Sequence, residues 1–214
     1  MLGRRGSVPH VTVEEPVRIA ALPMPLRWLR KPQSWNAPDG ASLLVTAGPR
    51  TDWFVDPQRS AEPKLDAPAL LGSSSGDFLL SARVTVDFAG TYDAGALVVY
   101  ESDRVWAKLC FEYSPQREPM VVSVVTRDVS DDCNSFVVDG ASVWLRIARV
   151  GSAFAFHAST DGGNWSFIRH FALESGDEPS VGFAAQSPTG DGCTVTFERI
   201  AYETTRLADL RSGE

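Results

Sequence analysis

The segment VWAKLCFEY, residues 105 to 113, places an aromatic ring, a cation and an anion on one face of a predicted strand. Because side chains alternate along a β-strand, Trp106, Lys108 and Glu112 point to the same side. A tryptophan can stack on the flat face of a sugar ring, and Lys and Glu can hydrogen-bond hydroxyl or carboxylate groups. The pattern predicts a ligand-binding face. The competing interpretation is a structural Lys108–Glu112 ion pair under a tryptophan rim, which adds little energy.

Two further motifs combine an aspartate with an aromatic side chain. In TDWF, Asp52 could accept hydrogen bonds from ligand hydroxyls and Trp53 could stack on the ligand, and in YDAG, Tyr92 and Asp93 could do the same. YDAG is equally typical of a turn in which Asp93 bonds the local backbone.

A run of oxygen-bearing side chains, RDVSDDCNS at residues 127 to 135, predicts a loop that contacts ligand or shapes the binding groove. Its candidate contact residues are Asp131, Asp132 and Asn134. Calcium prefers such oxygen ligands, but the EF-hand order of ligands is missing, so we predict no metal site and leave open whether a divalent cation binds.

Strand alternation also suggests a second polar set. If Val143, Leu145 and Ile147 face the core, Trp144 and Arg146 face the other way, and the same reasoning exposes His157 and Gln186. A cluster of Trp144, Arg146, His157 and Gln186 on one sheet would suit an anionic or hydroxyl-rich ligand. The alternative is a solvated outer face.

The elements that must position these residues are short strands. From Asp77 onward, runs of 7 to 12 residues are bounded by Gly, Pro, Asp or Ser, which is the spacing of a sandwich or barrel. Residues 59–76 show no period and are predicted to be a loop, Asp161-Gly162-Gly163 a hairpin turn, and the tail is the one helical candidate. We expect a single domain over residues 1–214, with a strand-like N-terminal segment (1–25) and a C-terminal tail (204–214).

At these motifs the chain resembles the regulation of enolase protein family, within the concanavalin A-like lectin/glucanase superfamily. The matching segments run in order along nearly the whole chain, and YDAG, WAK and SDDCNS are the more specific ones. The resemblance implies an all-β fold, a two-sheet antiparallel sandwich of the jelly-roll type with a concave groove. It implies that Trp106, Lys108, Cys110 and Glu112 line the concave face, and it implies no particular chemistry.

Composition excludes several classes of partner. The 214 residues carry a net charge of −7, which gives no electrostatic basis for binding nucleic acid or an anionic membrane. Three cysteines in no paired spacing predict reduced thiols rather than disulfides, and hence a cytoplasmic protein. We find no signal-peptide pattern and no run of about 18 apolar residues.

Three functions remain open. The first is a lectin-like module that binds a carbohydrate or similar hydroxylated small ligand without cofactor or catalysis. The second is a sugar-active hydrolase, lyase or isomerase with Glu112, Lys108 or an aspartate as acid/base. The E-x-D-x-E pair of related glucanases is missing. The third is a protein-interaction module that regulates a metabolic enzyme.

Overall fold

A computed structural model describes residues 15–174, 176 and 178–214, and the described part is built of β-strands without helices. Two seven-stranded sheets are present. The front sheet contains, in spatial order, β1 (Arg27–Arg30), β6 (Ala69–Ser73), β15 (Ser180–Gln186), β8 (Ala94–Ser102), β9 (Val105–Tyr113), β10 (Pro119–Arg127) and β11 (Val129–Val137). The back sheet contains β14 (Ser166–Ala172), β13 (Ala153–Ser159), β12 (Ser142–Val150), β7 (Phe78–Val86), β16 (Cys193–Glu203), β3 (Leu43–Ala47) and β2 (Ser34–Asn36).

All pairings between neighbouring strands are antiparallel. The predicted two-sheet antiparallel sandwich is therefore confirmed. Alternation explains how the sheets pack, since Leu80, Ala82 and Val84 of β7 are fully buried between them while Arg83 points outward. Ala107, Leu109 and Phe111 of β9 fill the same inter-sheet core from the front sheet.

Gly95 of the YDAG motif is required by this packing. A Cβ at Gly95 would lie 2.4 Å from Val195 and 2.7 Å from Val84, both on the back sheet. Its φ is not in the positive range, so close approach of the sheets, rather than an unusual backbone conformation, explains the glycine.

The outer face of the front sheet carries a second apolar cluster, which includes Trp106 and Cys110. Residues 52–67, hereafter the covering segment, pack over part of it and form the small two-stranded sheet of β4 (Trp53–Phe54) and β5 (Lys64–Leu65). Ser130 of β11 holds this segment, because its backbone N–H donates to the Val55 carbonyl and its Oγ accepts from the Val55 N–H, each at 2.9 Å.

Two segments that were predicted to be loops form strands in the structure. Residues 59–76 contain β5 and β6, and β6 lacks alternation because Ala69 to Gly72 are buried on both faces. Residues 129–137 form the edge strand β11, because its backbone pairs with β10 in a tight hairpin whose turn residue Asp128 has φ 67°. The polar composition that suggested a loop reflects the exposure of an edge.

Both chain ends differ from expectation. Residues 1–14 of the predicted strand-like segment 1–25 lie outside the described residues. The remainder of the segment forms one isolated β-bridge, between Val17 and Leu26. The tail 204–214 contains no helix and packs against the outer face of the back sheet through Leu207. The predicted turn at Asp161 does connect β13 to β14.

Within the described residues no helix is long and apolar enough to cross a membrane. Cys110, Cys133 and Cys193 are all free thiols.

Candidate functional site

A cavity of about 480 Å³, hereafter the front cavity, opens on the outer face of the front sheet beside the covering segment. Seven residues singled out from the sequence line it: Asp52, Tyr92, Lys108, Glu112, Asp132, Asn134 and Gln186. The structure thus brings together side chains from five separate stretches of the chain, and their role in binding remains a prediction.

Strand register explains why these side chains meet. Lys108 of β9 pairs with Val124 of β10, which pairs with Asp132 of β11, so the three side chains form one row on the same face. A second row runs from Gln186 of β15 through Ala94 to Glu112. Small or aliphatic residues occupy the middle of each row, which leaves room above the sheet between the polar groups.

Lys108 forms the floor of the cavity. Its Nζ donates to Gln186 Oε1 at 2.7 Å and lies 3.6 Å from Asp52 Oδ1, and its side chain is only 4% exposed. Burial favours the neutral amine, but the acidic groups around it (Cys110, Asp52, Glu112 and Asp132) favour the ammonium by more, so the pKa of Lys108 is raised. Because burial also raises the pKa of the Cys110 thiol, Cys110 is neutral at pH 7 and Asp52 is the nearest counter-charge.

Glu112 is the carboxyl group whose environment is most unusual. Its partial burial raises the pKa to about 8, and the neighbouring Asp132 and Asp52 add to the rise while Lys108 opposes it. Burial likewise raises the pKa of Asp132, although this side chain is exposed at the edge strand. Near neutral pH, Glu112 therefore carries a proton most of the time and can donate a hydrogen bond as well as accept one.

Tyr92 provides an exposed aromatic ring at the cavity wall, with 39% of the residue accessible. Its φ of 68° lies in the left-handed region, which costs a residue with a Cβ about 1–2 kcal/mol. Two bonds hold this conformation: the Tyr92 N–H donates to the Tyr113 carbonyl at 2.7 Å, and the Tyr92 carbonyl accepts from Gln186 Nε2 at 3.3 Å.

Among the described residues, no group of three or more His, Cys, Asp or Glu side chains is placed to hold a metal ion. Within residues 127–135, Asp132 and Asn134 line the front cavity.

The two tryptophans predicted to stack on a ligand are placed elsewhere. Trp106 does point to the outer face, but it is fully buried, and the ring of Trp53 covers it edge-on with centroids 5.5 Å apart. Trp53 is itself 2% exposed and donates its Nε1–H to the Ala67 carbonyl at 2.9 Å. The expectation that either ring offers an open stacking surface is wrong, because the covering segment closes over both.

Asp93 is also unavailable to a ligand. It is fully buried, its Oδ2 accepts from the backbone N–H groups of Ala89 and Gly90, and its Oδ1 accepts from Ser187 Oγ at 2.6 Å. Of its two sequence interpretations, the turn is the one the structure contains.

Asp131 points away from the front cavity. Neighbouring residues on a strand face opposite sides, and the Asp131 carboxylate pairs with Arg169 Nη2 of β14 at 2.9 Å, which ties the edges of the two sheets together.

Trp144, Arg146 and His157 do not share a sheet with Gln186, so the predicted cluster of four is wrong. They lie on β12 and β13 of the back sheet, whereas Gln186 lies on β15 of the front sheet. Each does face away from the core, but the tail covers Arg146 and His157. Arg146 Nη2 donates to the Gly213 carbonyl at 2.6 Å, and His157 Nε2 lies 2.8 Å from the Leu210 carbonyl oxygen.

Seven further residues line the front cavity and were not singled out from the sequence: Phe54, Ser114, Pro115, Gln116, Met120, Val124 and Pro188. Alternation along β10 could have identified Met120 and Val124 once β10 was paired with β9. No local signal marks the others, because loops and the covering segment bring them to the cavity.

The fold and the site together define a two-sheet β-sandwich with a polar cavity on the outer face of one sheet. Residues 28–205 match the model of a family described as protein of unknown function (DUF1349), and the chain belongs to that family. The enolase-regulation family name does not appear in that description. None of the proteins with curated descriptions matches the chain.

Solved structures with the same fold include a functionally unknown protein from Saccharomyces cerevisiae, 23% identical with a TM-score of 0.78, where the match covers 85% of this chain and 97% of the yeast chain. The GH43 protein BlXynB from Bacillus licheniformis is 15% identical, with a TM-score of 0.67 over 84% of this chain and 37% of that one. The Bacteroides ovatus xyloglucan PUL GH43B is 16% identical, with a TM-score of 0.66 over 92% and 40%. At these identities the likeness concerns the fold, and this chain spans well under half of either GH43 protein.

Proposed function

We propose that the protein is a binding module for a hydroxylated small ligand of the carbohydrate class, and that the ligand occupies the front cavity. The observation that carries the proposal is the cavity itself: about 480 Å³ of space in which carboxyl, amide and ammonium groups converge beside an exposed aromatic ring. A volume of roughly 300–1,000 Å³ with a few convergent polar groups is typical of small-molecule sites.

The polar groups suit hydroxyls because they offer both donors and acceptors. Asp132 and Asn134 provide acceptor oxygens at one wall, the Asn134 amide also provides a donor, and protonated Glu112 provides a donor at the floor. A sugar hydroxyl both donates and accepts, so it can bridge such groups.

Tyr92 takes the stacking role that the sequence suggested for Trp106. Its ring is exposed at the cavity wall, and its backbone is held in a strained conformation of the kind that accumulates at functional sites. Phe54 on the covering segment adds a second aromatic side chain to the lining.

The GH43 relatives of the fold give general support, since one is named for xyloglucan. A fold shared at this level does not carry an activity with it, so the proposal depends on the residues of the cavity.

A sugar-active enzyme is the second candidate, and Glu112 is the observation that favours it. A carboxylic acid with a pKa of about 8 is protonated at neutral pH and can act as a general acid. Lys108, 3.6 Å from Asp52, forms the neighbouring charged pair.

A role as regulator of another enzyme has less support. The large apolar side chains exposed among the described residues, Trp35, Tyr92 and Val137, lie on separate elements. The cytoplasmic location inferred from the free thiols stays part of the proposal.

A thermal-shift screen followed by calorimetry against mono- and oligosaccharides, including neutral, amino and acidic sugars, tests the proposal. We expect at least one sugar to raise the melting temperature, because it binds the folded state alone. Glu112→Leu and Tyr92→Asn should weaken that binding about tenfold or more, and Asp131→Asn, on edge strand β11 but outside the cavity, should not. Product analysis then distinguishes module from enzyme. Binding that survives both cavity variants, or a screen without any hit, would overturn the proposal.

A further inference from the structure

The charges that line the front cavity are unbalanced. Asp52, Glu112 and Asp132 contribute three carboxyl groups, and Lys108 is the one cationic side chain in the lining. A ligand that fits the cavity therefore meets an excess of acidic groups.

The single cation faces the protein rather than the ligand. Lys108 is 4% exposed at its side chain, and its ammonium group is engaged by Gln186 Oε1 at 2.7 Å and Asp52 Oδ1 at 3.6 Å. These contacts fix Lys108 and Asp52 as a pair at the floor, so the acidic groups left for a ligand are Glu112 and Asp132. An ammonium group on the ligand would favour the ionised form of both carboxyl groups.

Glu112 lacks a partner of its own. Among the described residues no hydrogen bond and no ion pair within 4 Å engages its carboxyl group, even though the residue is only partly exposed and lines the cavity. Asp132 lies two strands away across the cavity floor, in the row that starts at Lys108. A partly buried carboxyl group without a donor is costly, and a charged donor is its most favourable partner.

We propose that the ligand of the front cavity carries a protonated amine together with its hydroxyl groups, as an amino sugar with a free 2-amino group does. The ammonium group binds at Glu112, on the side of the cavity floor that faces Asp132, and the ring lies against Tyr92. This inference rests on the function proposed above and adds the charge of the ligand to it.

Two other chemistries fit the same cavity less well. A sugar acid would bring its carboxylate close to the carboxylate of Asp132, and the Lys108 ammonium that could offset this repulsion is buried and already paired. A metal ion in place of the amine is not supported, because no three acidic, His or Cys side chains in the described part of the chain converge closely enough.

Calorimetric titration with a matched pair of disaccharides tests the inference. The pair is the β-1,4-linked glucosamine disaccharide and its N-acetylated counterpart, measured at 0.15 M salt to screen general attraction to an acidic protein. We expect the free amine to bind at least tenfold more tightly. Asp132→Asn and Glu112→Gln should each reduce that preference about threefold or more, while Asp131→Asn, which removes the same charge one residue away, should keep it.

The outcomes separate this inference from the proposed function. If the N-acetylated or another neutral disaccharide binds as tightly as the amine, or a glucuronic-acid disaccharide binds more tightly, the ligand is not a cation and the inference fails while the proposed function stands. If amine binding is unchanged in Asp132→Asn and Glu112→Gln, the inference also fails. If no sugar of either kind binds, both are overturned.

Discussion

Lys108 of β9 reaches across β8 to Gln186 of β15, where its Nζ lies 2.7 Å from Oε1. The same amide donates to the Tyr92 carbonyl at 3.3 Å, so one side chain connects the buried cation to the strained aromatic residue. The contact explains how an ammonium group is tolerated on a sheet face that is otherwise apolar around Trp106 and Cys110. It also makes the cavity floor a structural element as well as a candidate binding surface.

Replacement of Lys108 by Met should therefore destabilise the fold. The substitution keeps the aliphatic stem but leaves Asp52 and Gln186 without their donor, and we expect the free energy of unfolding to fall by about 2–4 kcal/mol. Urea denaturation monitored by tryptophan fluorescence measures the change.

Arg104→Met is the control for that measurement. Arg104 Nε lies 2.6 Å from Asp128 Oδ1, but both side chains are more than half exposed, so its loss should cost less than about 1 kcal/mol. Equal losses in the two variants would show that the Lys108 contacts do not stabilise the sheet.

Stability should depend on pH through Glu112. Its pKa is about 8 in the folded state, whereas an exposed glutamate in the unfolded chain has a pKa of 4.5, so between these values the unfolded chain binds fewer protons than the folded one. Folding stability then decreases as pH rises from about 4.5 to 8, and the full cost is present above pH 8. In Glu112→Gln, we expect the fall in the free energy of unfolding between pH 5 and pH 9 to be smaller than in wild type by about 1–3 kcal/mol. The range extends to its lower value because Glu112 is partly exposed and solvent screens its charge.

Urea denaturation at pH 5, 7 and 9 measures the effect, with Glu118→Gln as a control outside the cavity. The other groups facing Glu112 are Lys108, Asp132, Asp52 and Cys110. Asp132, whose pKa is also raised, acts in the same direction and stays in both variants, whereas Lys108 titrates above this range. If wild type and Glu112→Gln have parallel pH profiles, the carboxyl group is ionised as in an exposed side chain.

The sequence was most informative where the deciding physics is local. Alternation along β9 correctly assigned Lys108 and Glu112 to one face and Leu109 to the core, because side-chain direction repeats every two residues. The same alternation correctly predicted that the side chains of Arg146 and His157 point away from the core.

What the sequence did not predict depends on contacts between distant segments. Trp106 was expected to be open, and it is covered by Trp53, more than fifty residues earlier, because alternation reports which way a ring points but not what packs on it. Arg146 was grouped with Gln186 because strand order across two sheets is set by pairing and not by sequence proximity.

Removal of the Tyr92 ring should weaken ligand binding while changing the stability of the fold only slightly. Tyr92→Asn suits the positive φ better, and we expect stability to change by less than about 1 kcal/mol, in either direction, because relief of strain offsets lost contacts. Binding of a sugar should weaken about tenfold or more, since stacking on the ring is lost.

Arg59→Asn is the matched control. Arg59 also has a positive φ, 56°, and lies in an exposed turn away from the cavity, so the variant should show the same relief of strain with unchanged affinity. Denaturation and calorimetry on both variants decide the point, and loss of affinity in Arg59→Asn would mean that backbone relief alone perturbs the site.

The tail should stabilise the back sheet without acting on the cavity. Gly213, with φ 79°, lets its carbonyl meet Arg146, and a Cβ there would lie 2.5 Å from Arg146 Nη2 and 2.8 Å from Trp165 Cβ. Gly213→Ala should therefore displace the tail and cost about 2–4 kcal/mol, from backbone strain and from the buried polar groups it leaves unpaired.

Gly76→Ala provides the comparison. Gly76 has φ 67°, but a Cβ added there would meet open space, so only the backbone strain of about 1–2 kcal/mol remains.

A second measurement follows the titration of His157 by NMR. Burial holds the pKa of His157 to about 4, and displacement of the tail should move it toward about 6.5 in Gly213→Ala but not in Gly76→Ala. Sugar affinity should stay the same in both, since the front cavity lies on the other sheet. An unchanged His157 titration in Gly213→Ala would show that the tail does not control the burial of that histidine.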